Sequence, residues 1–349
     1  MSYQRDFGRR LRVGLVGAGS HSYRNILPTL TYLPVELVAV CDLNQALAAK
    51  TAKQYGAAGV YTSSADLYAK EKLDAVLICV SPQLHPKLVA EALAAGLHVW
   101  FEKPPAMRAA DLAPLIAARK DRVVVCGFKK AFMPATRKVV EIMGRPEYQP
   151  LRTVLAEYVM SIPPNGAEVL ESRQFTNWLG NGCHPLSIMV AVAGSIAAVT
   201  THRGRHGGGA LILDFVSGAV GNLHMADGSP RQVERYAFYG KGVEVTVEDC
   251  RRVTMQRGIP FKYGVTTSFA PEGLDHGAIV WEPQNCLATL ENKALFTQGF
   301  YGELMYFCEC ALGGKAAARG SLEFARHIME VYEAALLSDG TRRDVPAHK

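Results

Sequence analysis

The segment Leu11-Arg-Val-Gly-Leu-Val16-Gly17-Ala-Gly19-Ser-His-Ser22 decides the fold. A short apolar run of strand character ends in two glycines one residue apart, and a helix-compatible stretch follows. In such a turn the first glycine permits the tight bend. The second lets backbone amides approach a pyrophosphate at the positive end of the helix. The third position of the pattern is Ser22, so the helix must pack on its strand with a small hydroxyl in place. Working outward, Asp42 closes the next apolar run, 23 residues after Gly19. A carboxylate there accepts hydrogen bonds from adenosine ribose hydroxyls and repels a 2′-phosphate, which favours NAD over NADP. Gly17, Gly19, Ser20, His21 and Asp42 are therefore candidate cofactor contacts.

The surrounding pattern supports this reading. Leu11–Val16, Val35–Cys41, Ala75–Val80, His98–Phe101 and Arg122–Cys126 read as strands. Helix candidates lie between them near Ser20–Tyr32, Asn44–Tyr55, Pro86–Ala95 and Ala109–Ala118. Continuously apolar strands separated by helices predict a parallel, doubly wound α/β sheet covered on both faces. This domain is expected over residues 1–127. Beyond it the texture changes. Leu151–Tyr158 alternates like a strand, and Ala197–Thr201, Ala210–Phe215, Ala219–Met225, Gln232–Tyr239 and Gly242–Glu248 follow with short turns between them. That spacing predicts a large, open antiparallel sheet in an α+β domain over 128–349. Helices are expected at Pro134–Met143, Gly302–Leu312 and Ser321–Leu337. Segments 163–180 and 257–300 read as long loops, which are usually functional or disordered.

Composition narrows the class. The 349 residues are 49% hydrophobic and 20% charged, ordinary for a globular chain of two domains. No apolar run reaches membrane-spanning length, and no secretory signal is read at the N-terminus. The net charge of +6 is spread along the chain, so neither nucleic acid nor membrane is expected as a partner. The eight cysteines, at 41, 79, 126, 183, 250, 286, 308 and 310, include no C-x-x-C pair. Several sit in apolar runs, so reduced structural thiols in a cytoplasmic protein are expected, with no metal site. The His202-to-His206 segment and its glycines read as an exposed hairpin.

Further motifs lie at expected strand ends, where doubly wound sheets bind ligands. Ser81-Pro82-Gln-Leu-His85 follows the apolar run Ala75–Val80, and Glu102-Lys103-Pro104-Pro105 follows His98–Phe101. This combination resembles the glucose–fructose oxidoreductase / inositol dehydrogenase / MocA family, whose pattern runs from a glycine loop through T/S-P-x-x-H to Glu-Lys-Pro. Gly127-Phe-Lys-Lys130-Ala-Phe-Met-Pro134 looks like its G-F/Y-N-R-R-F-x-P. The resemblance implies substrate held between the two domains and a homodimer or homotetramer formed through the open sheet. It adds Ser81, Pro82, His85, Glu102, Lys103 and Lys130 to the cofactor contacts, and it makes Lys103 catalytic.

The family's second segment, D-x-G-x-H, is matched by Gly180-Asn181-Gly182-Cys183-His184. By resemblance His184 is the second catalytic residue, expected at a helix start. The family's acids are replaced by Gly180 and Ser187, so orientation of the imidazole falls to Asn181. Tyr158, Asn181, His184, Lys103 and Trp178 are the substrate candidates, with Trp178 stacking on a sugar ring. Asn165, Arg173 and Asn177 are weaker ones. The function implied is NAD-dependent oxidation or reduction of a secondary hydroxyl or ketone on a sugar, cyclitol or derivative. A glycosidase that retains NAD, and a non-enzymatic dinucleotide sensor, stay open as alternatives.

Overall fold

The computed structural model describes residues 6–266, 276–283, 287 and 292–347. The chain forms two compact units. One comprises residues 1–132, 169–175 and 299–330, and the other 133–168, 176–298 and 331–349.

The first unit is built on strands β1 (Leu11–Val16), β2 (Val35–Cys41), β3 (Gly59–Tyr61), β4 (Ala75–Ile78), β5 (His98–Glu102) and β6 (Val124–Gly127). They are all parallel, in the order β3-β2-β1-β4-β5-β6. Leu15, Val40, Val76, Val99, Trp100, Phe101 and Val125 are completely buried, which explains the unbroken apolar runs. The connecting helices are α1 (Leu27–Leu30), α2 (Gln45–Tyr55), α3 (Ser64–Lys70), α4 (His85–Ala94) and α5 (Ala113–Ala118). The side chain of Asn44 caps α2 by accepting from the Leu47 amide at 3.0 Å. The first connection is not one regular helix: a wide π turn, Ser22–Ile26, leads into the short α1. The strand order reverses at β1 and β4, and the glycine loop sits at that switch point. Both β3 and α3 escape a periodicity reading. β3 has three residues, and α3 buries only Leu67.

The second unit carries α6 (Pro134–Met143), β7 (Thr153–Tyr158), α7 (Gly166–Glu171, shared with the first unit), α8 (Asn177–Ala193) and β8 (Ile196–Arg203). Then come β9 (Gly209–Phe215), β10 (Val220–Met225), β11 (Glu234–Gly240), β12 (Val243–Glu248), β13 (Arg252–Gln256), β14 (Ala278–Trp281) and α9 (Ala294–Thr297). With β15 (Arg343–Asp344) they make a nine-stranded sheet ordered β14-β13-β12-β11-β7-β10-β9-β8-β15. Its pairs are antiparallel except β7 with β10, because β7 inserts between β10 and β11. Buried and half-buried positions alternate along β12, so one face is covered. Helix α8 packs on β7, and α6 packs on β12 and β13. The hairpin read as exposed is anchored at its start: Arg203 donates to the carbonyls of Pro163, Leu336 and Ser338.

Helices α10 (Phe300–Gly313) and α11 (Leu322–Leu337) complete the chain. Helix α10 belongs to the first unit, where it packs on β5, β6 and the 3₁₀ turn Lys129–Phe132. A single cut near Gly127 therefore misses chain that returns to complete the α/β unit. Among the described residues no helix is long and apolar enough to cross a membrane. Of the segment 257–300 read as a loop, residues 267–275, 284–286 and 288–291 lie outside the described residues, and so does Cys286.

Candidate functional site

The glycine loop is held by its neighbours before any ligand is considered. Gly17 has φ +93°, and its amide donates to the Cys41 carbonyl at 2.9 Å. Ser22 Oγ donates to the Gly17 carbonyl at 2.6 Å, so the hydroxyl in the third position ties the helix to the loop. Asp42 accepts from the Ala18 amide at 2.8 Å and from the Asn44 amide at 2.9 Å. Asp42 also lines a cavity of about 610 Å³, together with Gly17, Leu43, Ser63, Leu84 and Leu88 among others. A Cβ on Gly19 would meet nothing within 4 Å, so the loop is open where a pyrophosphate would approach. These residues fit an adenine dinucleotide: apolar walls for the base, a ribose acid, and free space over the loop.

Asp42→Ala is expected to weaken binding of both NADH and NADPH, because the loop loses the carboxylate on the Ala18 amide. The loss should be greater for NADH, narrowing the ratio of the two dissociation constants by about tenfold or more. Fluorescence titration with both cofactors reads that ratio. An unchanged ratio would remove the ribose-acid role.

At the carboxyl end of β5, Glu102 is 4% exposed and accepts from the Lys103 amide at 3.0 Å. Asn25 donates to His21 Nδ1 at 3.3 Å, so His21 Nε2 carries the proton it donates to Glu102 at 2.8 Å. His21 and Glu102, both expected at the cofactor, are thus hydrogen-bonded to one another. Lys103 is half-buried, and Lys130 is 5% exposed. Lys129 places Nζ 4.2 Å above the Phe300 ring, and burial with the adjacent Lys130 charge lowers its pKa to about 8. Ser81 is exposed just beyond β4, whereas Pro82 is buried.

His85 is corrected. It is fully buried, edge-on to Phe101, with Nδ1–H donating to the Pro104 carbonyl at 2.8 Å. Its side chain is closed off from any ligand in the groove, and it pins the turn that carries Lys103. Burial lowers its pKa from 6.5 to about 4. The unfolded chain takes up a proton through the higher value and the folded chain only through the lower one. The stability held by neutral His85 is therefore complete above about pH 6.5 and drains as pH falls toward 4, by on the order of 3 kcal/mol. Urea melts across that range should show a shallower decline for His85→Gln than for the wild type.

The second unit places His184 differently from the sequence reading. Thr176 accepts from the Leu179 amide and starts α8 at Asn177, so His184 lies within the helix and is 7% exposed. Pro185 follows it and has no N–H, so the Asn181 carbonyl lacks its helical partner. Tyr158, at the end of β7, has its ring centroid 6.2 Å from that of His184, so these two candidates come together. Burial pushes the Tyr158 phenol up, with Glu234 adding to the effect, and it stays a neutral donor. Ser187 donates to the His184 carbonyl, not to the imidazole.

Trp178 is also corrected. It is 0% exposed, stacked on Tyr332 with Nε1 donating to the Tyr332 carbonyl at 3.2 Å. It is a core residue with no face open for a sugar. Asn181 is half-buried one turn away. Among the weaker candidates, Asn165 donates to Glu168, Asn177 accepts from the Ser161 amide, and Arg173 of the first unit grips both oxygens of Asp111.

Glu303 was absent from the sequence reading. It lies on α10, fully buried, within electrostatic reach of Glu102, Lys129 and Lys103. The available signal was its place in the apolar stripe of Phe300, Leu304, Phe307 and Cys308.

Comparison with known proteins agrees with this geometry. Residues 11–129 match the model of the oxidoreductase family with an NAD-binding Rossmann fold. The chain is 30% identical over 229 residues to dTDP-3,4-didehydro-2,6-dideoxy-alpha-D-glucose 3-reductase of Streptomyces violaceoruber, covering 62% of this chain and 66% of that one. It is 38% identical over 98 residues to D-glucoside 3-dehydrogenase of Escherichia coli K12, covering 28% of each. The match thus spans just under two thirds of the first relative and little over a quarter of the second. The crystal structure of a dehydrogenase from Chromobacterium violaceum superposes with a TM-score of 0.81 at 20% identity, over 95% of this chain and 96% of that one, a likeness of fold. Residues 11–129, with the glycine loop, ribose acid and Glu-Lys-Pro turn, thus carry the NAD-binding Rossmann domain of the glucose–fructose oxidoreductase / inositol dehydrogenase / MocA family.

Proposed function

We propose that the chain is an NAD-dependent oxidoreductase acting on a secondary hydroxyl or ketone of a sugar, cyclitol or related compound. The observation that carries this reading is Lys103. It is a half-buried lysine at the carboxyl end of β5, with its backbone fixed by Glu102 and further lysines nearby, on a sheet whose loop fits the dinucleotide. The activities for which the two relatives are named support a sugar, since both refer to carbon 3 of a hexose or glucoside.

Bound NAD would supply the acceptor or donor of the hydride. The Lys103 ammonium hydrogen-bonds the substrate oxygen and stabilises the alkoxide character it gains as the carbon is oxidised. By the family resemblance His184 of the second unit, with Tyr158 beside it, would take or return the hydroxyl proton. Lys130 contributes positive charge that favours the anionic cofactor. The uncovered face of the nine-stranded sheet, where Leu155 is 47% and Val220 45% exposed, is the proposed self-association surface.

The test is to incubate the protein with NAD⁺ and a panel of sugars and cyclitols, then examine each by mass spectrometry. One compound is expected to lose two hydrogens in step with cofactor reduction. Release of aglycone from a chromogenic glycoside without net cofactor reduction would instead indicate a glycosidase.

A further inference from the structure

Helix α10 approaches the lysine turn closely. A Cβ on Gly302 would lie 2.6 Å from the Phe132 carbonyl oxygen, so any larger residue would push the helix off the 129–132 turn. That approach seats the next residue, Glu303, in the interior. It is 0% exposed, and neither carboxylate oxygen has a hydrogen-bond partner among the described residues. An ionised carboxylate in such a place is costly unless a counter-charge stands nearby. Packing alone would have been served by a leucine or methionine, as at the rest of the stripe. A buried, unsatisfied carboxyl group therefore calls for a reason in chemistry.

The counter-charges, Lys103 and Lys129, come from two places in the same unit, and Glu102 opposes them as a like charge. Lys103 and Glu102 stand at the end of β5, and Lys129, next to Lys130, stands in the turn after β6. Cys79, beyond β4, also lies within reach, and burial holds its thiol up at about 12, so it stays neutral. One turn before Glu303, Phe300 carries the Lys129 ammonium 4.2 Å above its ring and the His21 ring 5.7 Å away. His21 is in turn bonded to Glu102. Phe300 and Glu303 thus present one helix face to both ends of the cluster.

We propose that Glu303 is a positioning residue, a buried acid that acts through Lys129 to fix the charge beside Lys103. The two groups, coupled through the interior without a direct hydrogen bond, carry one proton between them. It resides on Lys129 Nζ with Glu303 ionised, or on the carboxyl with the amine neutral, and either arrangement leaves the pair without net charge. A second, uncompensated cation near Lys103 is thereby avoided, although Lys129 and Lys130 are adjacent. Burial pushes the Glu303 carboxyl well up and Lys129 down, so their affinities for the shared proton approach one another. The consequence for catalysis rests on the reading of Lys103 given above, whereas the proton sharing does not.

The experiment is competitive acylation of the lysine amines with acetic anhydride from about pH 5 to about pH 10, read at Lys129 by peptide mass spectrometry. The wild-type midpoint is expected near 8. In Glu303→Gln the anion is gone and the midpoint should fall by at least about one pH unit, a tenfold loss of proton affinity. Glu303→Asp, which keeps the acid, should restore most of the shift. A Glu303→Gln midpoint equal to or above the wild type overturns the pairing. Should that variant fail to fold, infrared difference spectra of Lys129→Met against wild type decide the matter. Removing the amine should strengthen the protonated-carboxyl band at neutral pH, and no change overturns the proposal. Once a substrate is in hand, the high-pH limb of kcat/KM should move down with the Lys129 midpoint. A stationary limb would overturn the link to Lys103 while leaving the labelling result intact.

Discussion

Replacing Lys103 by methionine is expected to lower kcat/KM by about 10²–10⁴-fold, with the affinity for NAD changed by no more than a few-fold. Methionine keeps the length and much of the apolar stem of lysine but removes the ammonium. What disappears is the donor to the substrate oxygen, an interaction that strengthens as that oxygen gains negative charge. Cofactor affinity rests mainly elsewhere. The glycine loop is set by Ser22 on the Gly17 carbonyl, and the ribose acid by the Ala18 and Asn44 amides. The turn itself stays pinned by Glu102 on the residue 103 amide and by His85 on the Pro104 carbonyl, because both bonds use backbone atoms of the turn. Cofactor titration beside steady-state kinetics separates the two roles. Surviving turnover would remove Lys103 from the chemistry. Equal loss of binding and turnover would make it a cofactor ligand only.

Gly17→Ala should damage both fold and binding. At φ +93° an alanine is strained, and its Cβ would overlap the Cys79 carbonyl oxygen, a backbone atom that cannot swing aside. The two effects together should cost about 2–4 kcal/mol of stability, and cofactor affinity should fall by more than about tenfold. Gly19→Ala is the contrasting control. Its Cβ would enter open space, so stability should stay within about 0.5 kcal/mol of the wild type. Affinity should still drop, because the methyl group would occupy the approach of the pyrophosphate. Urea denaturation with cofactor titration on both variants gives the comparison. Wild-type affinity in Gly19→Ala would mean that the dinucleotide does not lie over this loop.

The α/β half of the molecule was legible because its signals are local. Each buried strand is an apolar run, and the glycine loop, Asp42 and Glu102-Lys103 each follow directly from one. The larger sheet was legible from β7 to β12, where β9, β10 and β12 alternate, but not at β13, β14 and β15. The parallel pairing of β7 with β10 was not, because it joins residues far apart in sequence that no turn connects. The start of α8 was hidden by Gly180, Gly182 and Pro185, which look like loop residues. The helix forms because nearly every residue from Trp178 to Val190 is buried. The same burial turned Trp178 from a sugar platform into core, a distinction that an aromatic side chain in sequence does not carry. Glu303 escaped because its partners lie some 200 residues earlier, brought to it only by the packing of α10.

The most direct measurement is a single-turnover absorbance scan. The protein is mixed with near-stoichiometric NAD⁺ and with separate pools of sugars, cyclitols, uronates and amino sugars. Growth of the reduced-nicotinamide band with one pool, its amplitude set by the bound cofactor, is the result expected of a dehydrogenase. Subdividing that pool then names the substrate. A flat trace with every pool, from protein shown by titration to hold NAD⁺, would contradict it.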